Sequence, residues 1–363
     1  MAWSRKEKKK FRLALVETYR TYKKLEIFVA DELDERLEAI VPSSQDLDAA
    51  AFDLIEWADA KGSLGRLYGA FCDENPNHTF KVKSSFQASM SALRGERFTF
   101  TAASVTPDGT VTEYQREGQR HIFDLAGTPL EMVWIPAGDF WMGSPLDEAG
   151  RNRREGPQHR VTFAQGFWMG RYPVTQAQWR SVAGFAQVKF HLEADPSYFK
   201  GANRPVEQIS WDSAQEFCHR LSRELLQTFK LPSEAEWEYA CRAGTTMPFA
   251  FGKALTQNLA HCGLSIVRGT MGVGRFPANS WGLHDMHGNV WAWCEDTWHG
   301  SYDDAPVDGS AWIGNQSTRS LLRGGSWADP PRRCRSAYRG RNLREGGYNR
   351  TGFRVVCSTR VCS

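Results

Sequence analysis

Residues 130–356 contain only one long helical pattern, Trp211–Leu225, and the rest of this region is rich in turns and isolated aromatic residues. A region with so little regular periodicity has to be held together by loops that pack on one another around large side chains. The 14 tryptophans of the 363-residue chain suit that role, because each indole buries a large area and needs only one hydrogen-bond partner. The pattern predicts a large domain with little regular secondary structure.

The N-terminal part differs, because its apolar residues recur at spacings of three and four. One run covers residues 15–40 and ends before Pro42, a second covers residues 47–58, and a third covers residues 64–71. Such runs are typical of short amphipathic helices. They predict a small all-α bundle.

These patterns predict a domain organisation in three parts. We expect an all-α domain at residues 1–80, a linker at residues 81–95 and the larger domain at residues 96–363. The larger domain should begin with a β-hairpin, since "FTFTAASV" alternates apolar and polar residues and "TPDGT" is a turn sequence.

Composition is that of a soluble globular protein, with 41% hydrophobic and 24% charged residues. Net charge is only +3, so any basic surface must be local. The N-terminus lacks the apolar run of a signal peptide, and no stretch approaches 18 consecutive apolar residues. We therefore expect a cytoplasmic protein with no membrane contact, whose eight cysteines are buried thiols.

The larger domain carries "LEMVWIPAGDFWMGS", "FWMGRYPVTQAQW", "RPVEQISWDSAQEFC", "LPSEAEWEYACRAGT", "GLHDMHGNVWAWCEDTW", "LLRGGSW" and "GFRVV" in this order. The order resembles the formylglycine-generating enzyme (sulfatase-modifying factor) family over about residues 98–358. The resemblance implies an α+β domain of the C-type-lectin-like type, which would make the whole chain this domain plus a small N-terminal all-α domain.

Activity does not follow from that fold. Oxidase members of the family resemble copper enzymes that use two cysteines just after the Gly-Gly-Ser-aromatic motif, whereas residues 328–333 of this chain contain no cysteine. We therefore predict no catalytic residues and no enzyme activity, with a copper oxidase as the alternative. The resemblance matches Cys334 to a structural cysteine paired with the position of Cys241, and a reactive Cys334 activated by nearby arginines is the less favoured alternative.

A metal site is also implied by the resemblance. In the family, the segment matching "DMHGNVWAW" binds calcium, and its ligands carry over to the Asp285 side chain and the carbonyls of Gly288 and Val290. The carboxylate position is occupied by Ala292, and loss of a hard oxygen ligand weakens a calcium site. We expect no cofactor, with turn hydrogen bonds from Asp285 and Asn289 favoured over calcium.

The N-terminal segment "FDLIEWADAKGSLGRLYGAFCDENPNHTF" resembles the type 1 effector-associated domain of bacteria. This resemblance implies an adaptor that pairs with similar domains on effector proteins. A helical cap on the larger domain would need the same apolar stripes and remains an alternative.

The C-terminal region, about residues 323–358, is irregular between two ends that are typical of packed structure. Its segments 324–327, 334–337 and 352–356 are separated by six and fourteen residues. This spacing resembles the variable proteins of diversity-generating retroelements, in which asparagine codons are randomised at adenines. Adenine changes in AAC or AAT never give Lys, Gln, Glu, Met or Trp. These five types make up about one-fifth of the chain, but residues 328–351 contain only one, Glu345.

A surface that tolerates many side chains belongs on solvent-facing loops above a packed frame. We expect the frame to contain Trp327, Cys334, Ala337, Phe353, Val355 and Val356. The predicted outward-facing, ligand-binding positions, called the variable positions below, are Ala328, Asp329, Pro330, Arg332, Arg333, Tyr338, Gly340, Asn342, Leu343, Gly346, Tyr348 and Asn349.

The charge of this region predicts the kind of ligand. Arginines outnumber acidic residues, and tyrosines are common in binding hot spots. The predicted basic patch contains Arg332, Arg333, Arg339, Arg341, Arg344 and Arg350. An acidic protein surface is favoured over nucleic acid, because no nucleic-acid motif accompanies the charge.

The sequence therefore predicts a non-enzymatic receptor that binds a protein ligand through the variable face and an effector protein through its N-terminal domain. A solvated arginine-rich loop, with Arg335 and Arg354 in structural salt bridges, is the simplest alternative. A self-assembling structural protein also remains open.

Overall fold

A computed structural model describes residues 5–33, 37, 46–60, 67–68, 71, 74, 95–106, 108–314 and 318–358. The chain forms two compact units. The first contains residues 1–93, 222–227 and 360–363, and the second contains residues 94–221 and 228–359. Residues 81–94 of the predicted linker lie outside the described residues.

Helices α1 (Arg5–Tyr19), α2 (Tyr22–Leu33) and α3 (Leu47–Ala60) belong to the first unit. The prediction of one unbroken run over residues 15–40 is wrong, because Arg20 takes a left-handed φ of 53° and ends α1. The apolar stripes do pack together, with Leu15, Leu54 and Ile55 in one buried cluster. The predicted third run lies mostly outside the described residues.

The second unit contains three sheets. Its strands are β1 (Glu96–Val105), β2 (Val111–Leu125), β3 (Thr128–Ile135), β4 (Gly138–Met142), β5 (His159–Phe163), β6 (Phe167–Gly170), β7 (Thr228–Lys230), β8 (Trp291–Thr297), β9 (Arg319–Arg323), β10 (Arg339–Leu343), β11 (Thr351–Phe353) and β12 (Val356–Ser358). One sheet has the order β1-β2-β3-β6-β12-β7, a second has β10-β9-β8-β11, and β4 pairs with β5. The predicted hairpin is confirmed as β1 and β2, in antiparallel register.

Three helices pack with these sheets: α4 (Gln176–Ala183), α5 (Trp211–Leu225) and α6 (Glu234–Arg242). The helix predicted at Trp211–Leu225 is confirmed as α5. Capping boxes that begin at Thr175 and Ser233 satisfy the first backbone N–H groups of α4 and α6. The result is the predicted α+β architecture, in which short elements are joined by long packed loops.

Large aromatic side chains fill the interior of the second unit, as the composition predicts. Trp168, Trp179, Trp237 and Trp293 are at most 2% exposed. Phe353 packs edge-on against Trp179 of α4 and Phe217 of α5. Because β11 joins one sheet and β12 the other, this end of the C-terminal region is fixed on both sides.

No helix within the described ranges combines the length and apolar character needed to cross a lipid bilayer.

Candidate ligand-binding surface

Buried ion pairs fix the C-terminal region to the rest of the unit. Arg335 donates two hydrogen bonds to Glu155, with Nη2 to Oε1 at 2.7 Å and Nη1 to Oε2 at 2.9 Å. It also pairs with Glu148, and all three side chains are at most 3% exposed. Arg335 binds both carboxylates out of contact with water and offsets part of their negative charge, so position 335 is anchored.

A second buried pair fixes β10. Arg339 binds Glu234 of α6 in a bidentate arrangement, with Nε to Oε1 at 2.6 Å and Nη2 to Oε2 at 2.8 Å. Its Nη1 also donates to the carbonyl of Arg154 at 2.8 Å. The prediction that Arg339 contributes to the basic patch is therefore wrong, because Glu234 neutralises its charge in the interior.

Other members of the predicted frame are buried: Cys334, Ala337, Phe353, Val355 and Val356 are fully inaccessible, whereas Trp327 is half-buried. Gly325 has a φ of 74°, and a Cβ built there would lie 2.4 Å from Cys334 Sγ. This close approach explains why a glycine is needed at position 325. Arg354 is also buried, but its Nη1 donates to the carbonyls of Gly170 and Arg171 and not to a carboxylate.

The prediction that Asp329 faces outward is wrong, because its side chain is buried and only 3% exposed. One carboxylate oxygen accepts from Trp291 Nε1 at 2.9 Å and from the Ser326 hydroxyl. The other accepts from Arg333 Nη1 at 3.2 Å, and the Asp329 carbonyl accepts from Gly263 N at 2.7 Å. Asp329 therefore supports the loop from beneath.

The other eleven variable positions are at least partly accessible. Arg332, Arg333, Leu343 and Tyr348 are exposed, and the remaining seven are half-buried. Leu343 is 45% exposed and Tyr348 is 36% exposed, although both are large apolar or aromatic side chains. These exposures agree with a surface role, but binding by these residues stays a prediction.

A concave groove of about 330 Å³ opens on this face. Six variable positions line it: Asp329, Arg333, Tyr338, Gly340, Asn342 and Tyr348. Its other lining residues are Arg154, Trp291, Trp298, Leu322, Arg339, Arg341, Arg350 and Thr351. The groove therefore combines aromatic walls with several guanidinium groups, a composition suited to an anionic partner with some apolar surface.

The sequence predictions assigned no binding role to five groove residues, Arg154, Trp291, Trp298, Leu322 and Thr351. Arg154 lies in a short 3₁₀ turn beside Glu155, and Trp291 and Trp298 lie at and just beyond the two ends of β8. No sequence signal links Arg154 to the C-terminal region, because only tertiary packing brings them together. The two tryptophans stand in the quoted motif "NVWAWCEDTW", where they were interpreted as part of the scaffold.

The cysteines are arranged differently from the family pattern. Cys334 packs in a buried cluster with Cys262, and both cysteines of the predicted pair, Cys241 and Cys334, are free. Cys241 Sγ lies instead 3.6 Å from Ser336 Oγ and 3.7 Å from His287 Nε2. Cys334 is fully buried, and the neighbouring Cys262 thiol and burial raise its pKa, which argues against the alternative of a Cys334 activated by arginines.

The residues predicted as possible calcium ligands lie in a loop held by turn hydrogen bonds. Asp285 Oδ2 already accepts a hydrogen bond from Gly274 N at 2.8 Å, and burial raises the pKa of its carboxyl group. Ala292 supplies no side-chain oxygen at the position where the family pattern has a carboxylate. Asn289 bonds both ways to the Met271 backbone, at 3.0 and 3.1 Å. These are the turn hydrogen bonds that the sequence favoured.

His287 connects the C-terminal region to a neighbouring loop. Its Nδ1 lies 2.8 Å from the Cys334 carbonyl, and its Nε2 accepts from Ala250 N at 2.9 Å. His284 Nδ1 lies 2.8 Å from the Phe276 carbonyl. Burial lowers the pKa of both histidines to about 4. Both therefore belong to the packed neutral interior, as the sequence favoured.

These shifts predict a loss of stability in acid. In the unfolded chain a histidine has a pKa of about 6.5, so protons bind the unfolded state first as the pH falls from 6.5 to 4. The free energy of unfolding should therefore decrease over this range, by about 2 kcal/mol for His287 between pH 6.5 and pH 4.5. Urea denaturation of the wild type and a His287→Gln variant at both pH values measures this contribution.

Burial raises the pKa of Asp296 to about 7, so its protonation in the folded protein increases the free energy of unfolding as the pH falls. Because this effect opposes that of His287, the wild type must be compared with the variant. His287→Gln should be less stable than the wild type at pH 6.5 and closer to it at pH 4.5. An equal pH dependence in both proteins would contradict the assignment.

The fold and the groove define a C-type-lectin-like domain that presents a concave surface on its C-terminal region. Residues 122–359 match the model of the sulfatase-modifying factor enzyme 1-like domain, and the chain belongs to this family. Residues 1–83 match the model of effector-associated domain 1. These matches confirm the resemblances to the formylglycine-generating enzyme family and to the type 1 effector-associated domain.

Individual relatives cover parts of the chain. The serine/threonine-protein kinase pkn1 of Chlamydia caviae is 32% identical over 251 residues, 62% of this chain and 38% of the kinase. The chain therefore spans well under half the length of that relative. The formylglycine-generating enzyme of Mus musculus is 28% identical over 308 residues, 67% of this chain and 80% of the enzyme.

Solved structures agree with the fold. PvdO from Pseudomonas aeruginosa is 35% identical with a TM-score of 0.60, over 65% of this chain and 97% of PvdO. Variable protein 1 of Treponema denticola is 24% identical with a TM-score of 0.57, over 66% of this chain and 98% of that protein. This second similarity concerns the fold alone.

Proposed function

We propose that this chain is a cytoplasmic, non-enzymatic receptor that binds an acidic protein through the groove and the variable positions around it. One observation carries the proposal: variable positions from separate parts of the C-terminal region line one groove, while the segment between Arg333 and Tyr338 is buried. Arg333, Tyr338 and Tyr348 all reach the groove. Cys334, Arg335 and Ala337 lie between them and are at most 2% exposed.

This separation is what a diversified binding surface requires. Side chains that change must contribute little to folding, and side chains that fold the domain must not change. The buried pairs of Arg335 and Arg339 hold the backbone on both sides of Tyr338. Tyr338 can therefore be replaced without removing either anchor.

The groove chemistry supports an acidic target. Arg333, Arg341 and Arg350 line it and are exposed, and Tyr338 and Tyr348 supply aromatic contact area. Arginine and tyrosine are enriched among residues that dominate protein–protein binding energy. The proposal extends to the N-terminal domain, which would couple target binding to an effector protein that carries a similar domain.

A formylglycine-generating oxidase is the second candidate, because enzymes of that type are among the relatives. Against it, residues 328–333 hold no thiol, and Cys334 is fully buried with a raised pKa. Incubation of the purified protein with copper and a cysteine-containing peptide tests this candidate, and oxidation of the peptide would overturn the receptor proposal.

The receptor proposal predicts that binding and folding can be separated. Simultaneous alanine replacement of exposed or groove-lining variable positions should leave the melting temperature within a few degrees of the wild type, since these side chains make few buried contacts. The replaced residues are Arg332, Arg333, Tyr338, Asn342, Leu343 and Tyr348. Partner capture should be lost, measured by quantitative mass spectrometry of proteins cross-linked to the full chain in cells.

A matched control replaces exposed residues elsewhere on the second unit, such as Leu146, Val307 and Ile313. The control should retain the captured proteins. Equal capture by the wild type and the groove variant would contradict the proposal, and so would a target without an acidic surface. Capture of a protein with its own effector-associated domain, unaffected by the groove variant, would support the coupling role.

A further inference from the structure

The groove has two chemically different sides, and the pleat of β10 separates them. Side chains alternate along a strand, so the odd-numbered residues of β10 share one face and the even-numbered residues share the other. Gly340 lies on the even face against Trp291, whose ring is 3.0 Å from a Cβ built at position 340. Tyr338, just before the strand, also lies near Trp291, with ring centroids 6.0 Å apart. This Trp291 side contains the variable positions 338, 340 and 342.

The odd face contacts Trp298 instead. The guanidinium carbon of Arg341 lies 4.8 Å from the Trp298 ring centroid, that of Arg339 4.9 Å and that of Arg154 5.9 Å. None of these four residues is a predicted variable position. Leu343, the remaining odd-numbered residue of β10, is a variable position but does not line the groove. The groove-lining part of the Trp298 side is therefore built from residues that stay the same when the variable positions change.

Two of these arginines have no acidic partner in the described part of the chain. Arg339 is neutralised by Glu234, but no ion pair there involves Arg154 or Arg341. Loss of hydration and repulsion from Arg154 and Arg319 lower the pKa of Arg341. Two positive charges are thus held near one indole without compensation, an arrangement that a bound anion would stabilise.

The backbone around these arginines is rigid. Arg154 lies in a 3₁₀ turn closed by a capping box between Asn152 and Glu155. Glu155 is the buried partner of Arg335, and the Arg154 carbonyl accepts from Arg339. Arg341 is held in β10 opposite Leu321 of β9. Cation–π contact with the Trp298 ring also restricts the guanidinium groups of Arg154 and Arg341.

We propose that Arg154 and Arg341, oriented by Trp298, form a constant subsite for the carboxylate of an Asp or Glu side chain on the target protein. The inference rests on the proposed receptor function and assigns different binding roles to the two sides of the groove. The Trp298 side would supply an acidic anchor common to every diversified copy, and the Trp291 side would select among acidic targets.

An acidic peptide suits this subsite better than a nucleic acid. Single-stranded nucleic acids bind by stacking bases on free aromatic faces. The Trp298 ring is already contacted by Arg154, Arg339 and Arg341, so less of its surface is available for a base. Paired guanidinium N–H groups match the geometry of a carboxylate.

The test measures the fluorescence anisotropy of labelled hexaglutamate with the full-length chain at low salt. An Arg154→Ala/Arg341→Ala variant should bind the peptide about tenfold more weakly or worse. The matched control, Arg97→Ala/Arg153→Ala, removes the same charge from exposed positions outside the groove and should bind within about threefold of the wild type. Circular dichroism melting checks that all variants are folded.

A third variant, Tyr338→Ala/Asn342→Ala/Tyr348→Ala, distinguishes this inference from the proposed function. It should still bind hexaglutamate within about threefold of the wild type, because Arg154, Arg341 and Trp298 are unchanged, while cellular target capture is lost. Equal weakening in both arginine variants would show non-specific attraction and overturn the subsite. Loss of hexaglutamate binding in the third variant would show that the subsite depends on the variable positions, and would overturn the proposal that it is constant. Tighter binding of a thymidine hexanucleotide that depends on Arg154 and Arg341 would replace the acidic peptide with nucleic acid.

Discussion

Replacement of Arg335 by methionine should lower the free energy of unfolding by about 3–5 kcal/mol, the cost of leaving a buried charge unpaired. Arg335 compensates two carboxylates, Glu155 and Glu148, and both are at most 3% exposed. Burial already raises the pKa of Glu148 even with the arginine present. Methionine keeps much of the side-chain volume of arginine, so the decrease in unfolding free energy reports the lost charge and hydrogen bonds more than lost packing. Guanidinium denaturation at pH 7 gives the value.

The neighbouring exposed arginine provides the control. Arg332→Met removes the same charge three residues away, where the side chain is exposed, and should change stability by about 0.5 kcal/mol or less. A double variant, Arg335→Met/Glu148→Gln, should recover part of the loss because one uncompensated carboxylate is removed. If Arg335→Met were as stable as the wild type, the ion pairs would not anchor this region.

Replacement of Asp329 by alanine should destabilise the domain by about 2–4 kcal/mol, although it was predicted to be a freely variable surface residue. The change would leave the Trp291 indole N–H and the Ser326 hydroxyl without their buried acceptor. Because Trp291 lines the groove, its environment should also change. Urea denaturation measures the first effect, and tryptophan fluorescence of the folded protein reports the second.

Arg333→Ala is the matched comparison, because it removes the exposed partner of the same carboxylate. Its side chain is 48% exposed, and the pair with Asp329 spans 3.2 Å, so the expected loss is below about 1 kcal/mol. Equal effects of the two substitutions would contradict the buried supporting role of Asp329. The expected difference also predicts that position 329 tolerates far fewer residues than position 333.

Much of the fold was predictable from the chain alone. The alternating residues before "TPDGT" became β1, the 3.6-residue pattern at Trp211–Leu225 became α5, and the tryptophans became interior anchors. These signals are local, because hydrophobic period and turn chemistry are properties of neighbouring residues. The family motifs predicted the remaining features, namely the C-type-lectin-like domain and the packed ends of the C-terminal region.

Predictions from local sequence pattern were wrong for side chains whose hydrogen-bond or ion-pair partners lie in distant parts of the chain. Asp329 and Arg339 have the composition of surface residues, and only the packing of Trp291 and Glu234 makes them interior. In the same way, Cys334 meets Cys262, which no spacing rule indicated. A charged side chain is buried only when tertiary structure supplies its counter-charge or hydrogen bonds, and a single sequence does not record which distant residue does so.

The sequence by itself determined the family and the packed ends of the C-terminal region through its motifs, and the N-terminal helices, the β1–β2 hairpin and α5 through periodicity along the chain. Only the tertiary structure decided which side of the groove each side chain occupies. Arg154 is 187 positions from Arg341, yet both lie near Trp298. Such proximity results from the packing of β10 against remote loops, since the geometry of a binding groove is a property of the assembled domain.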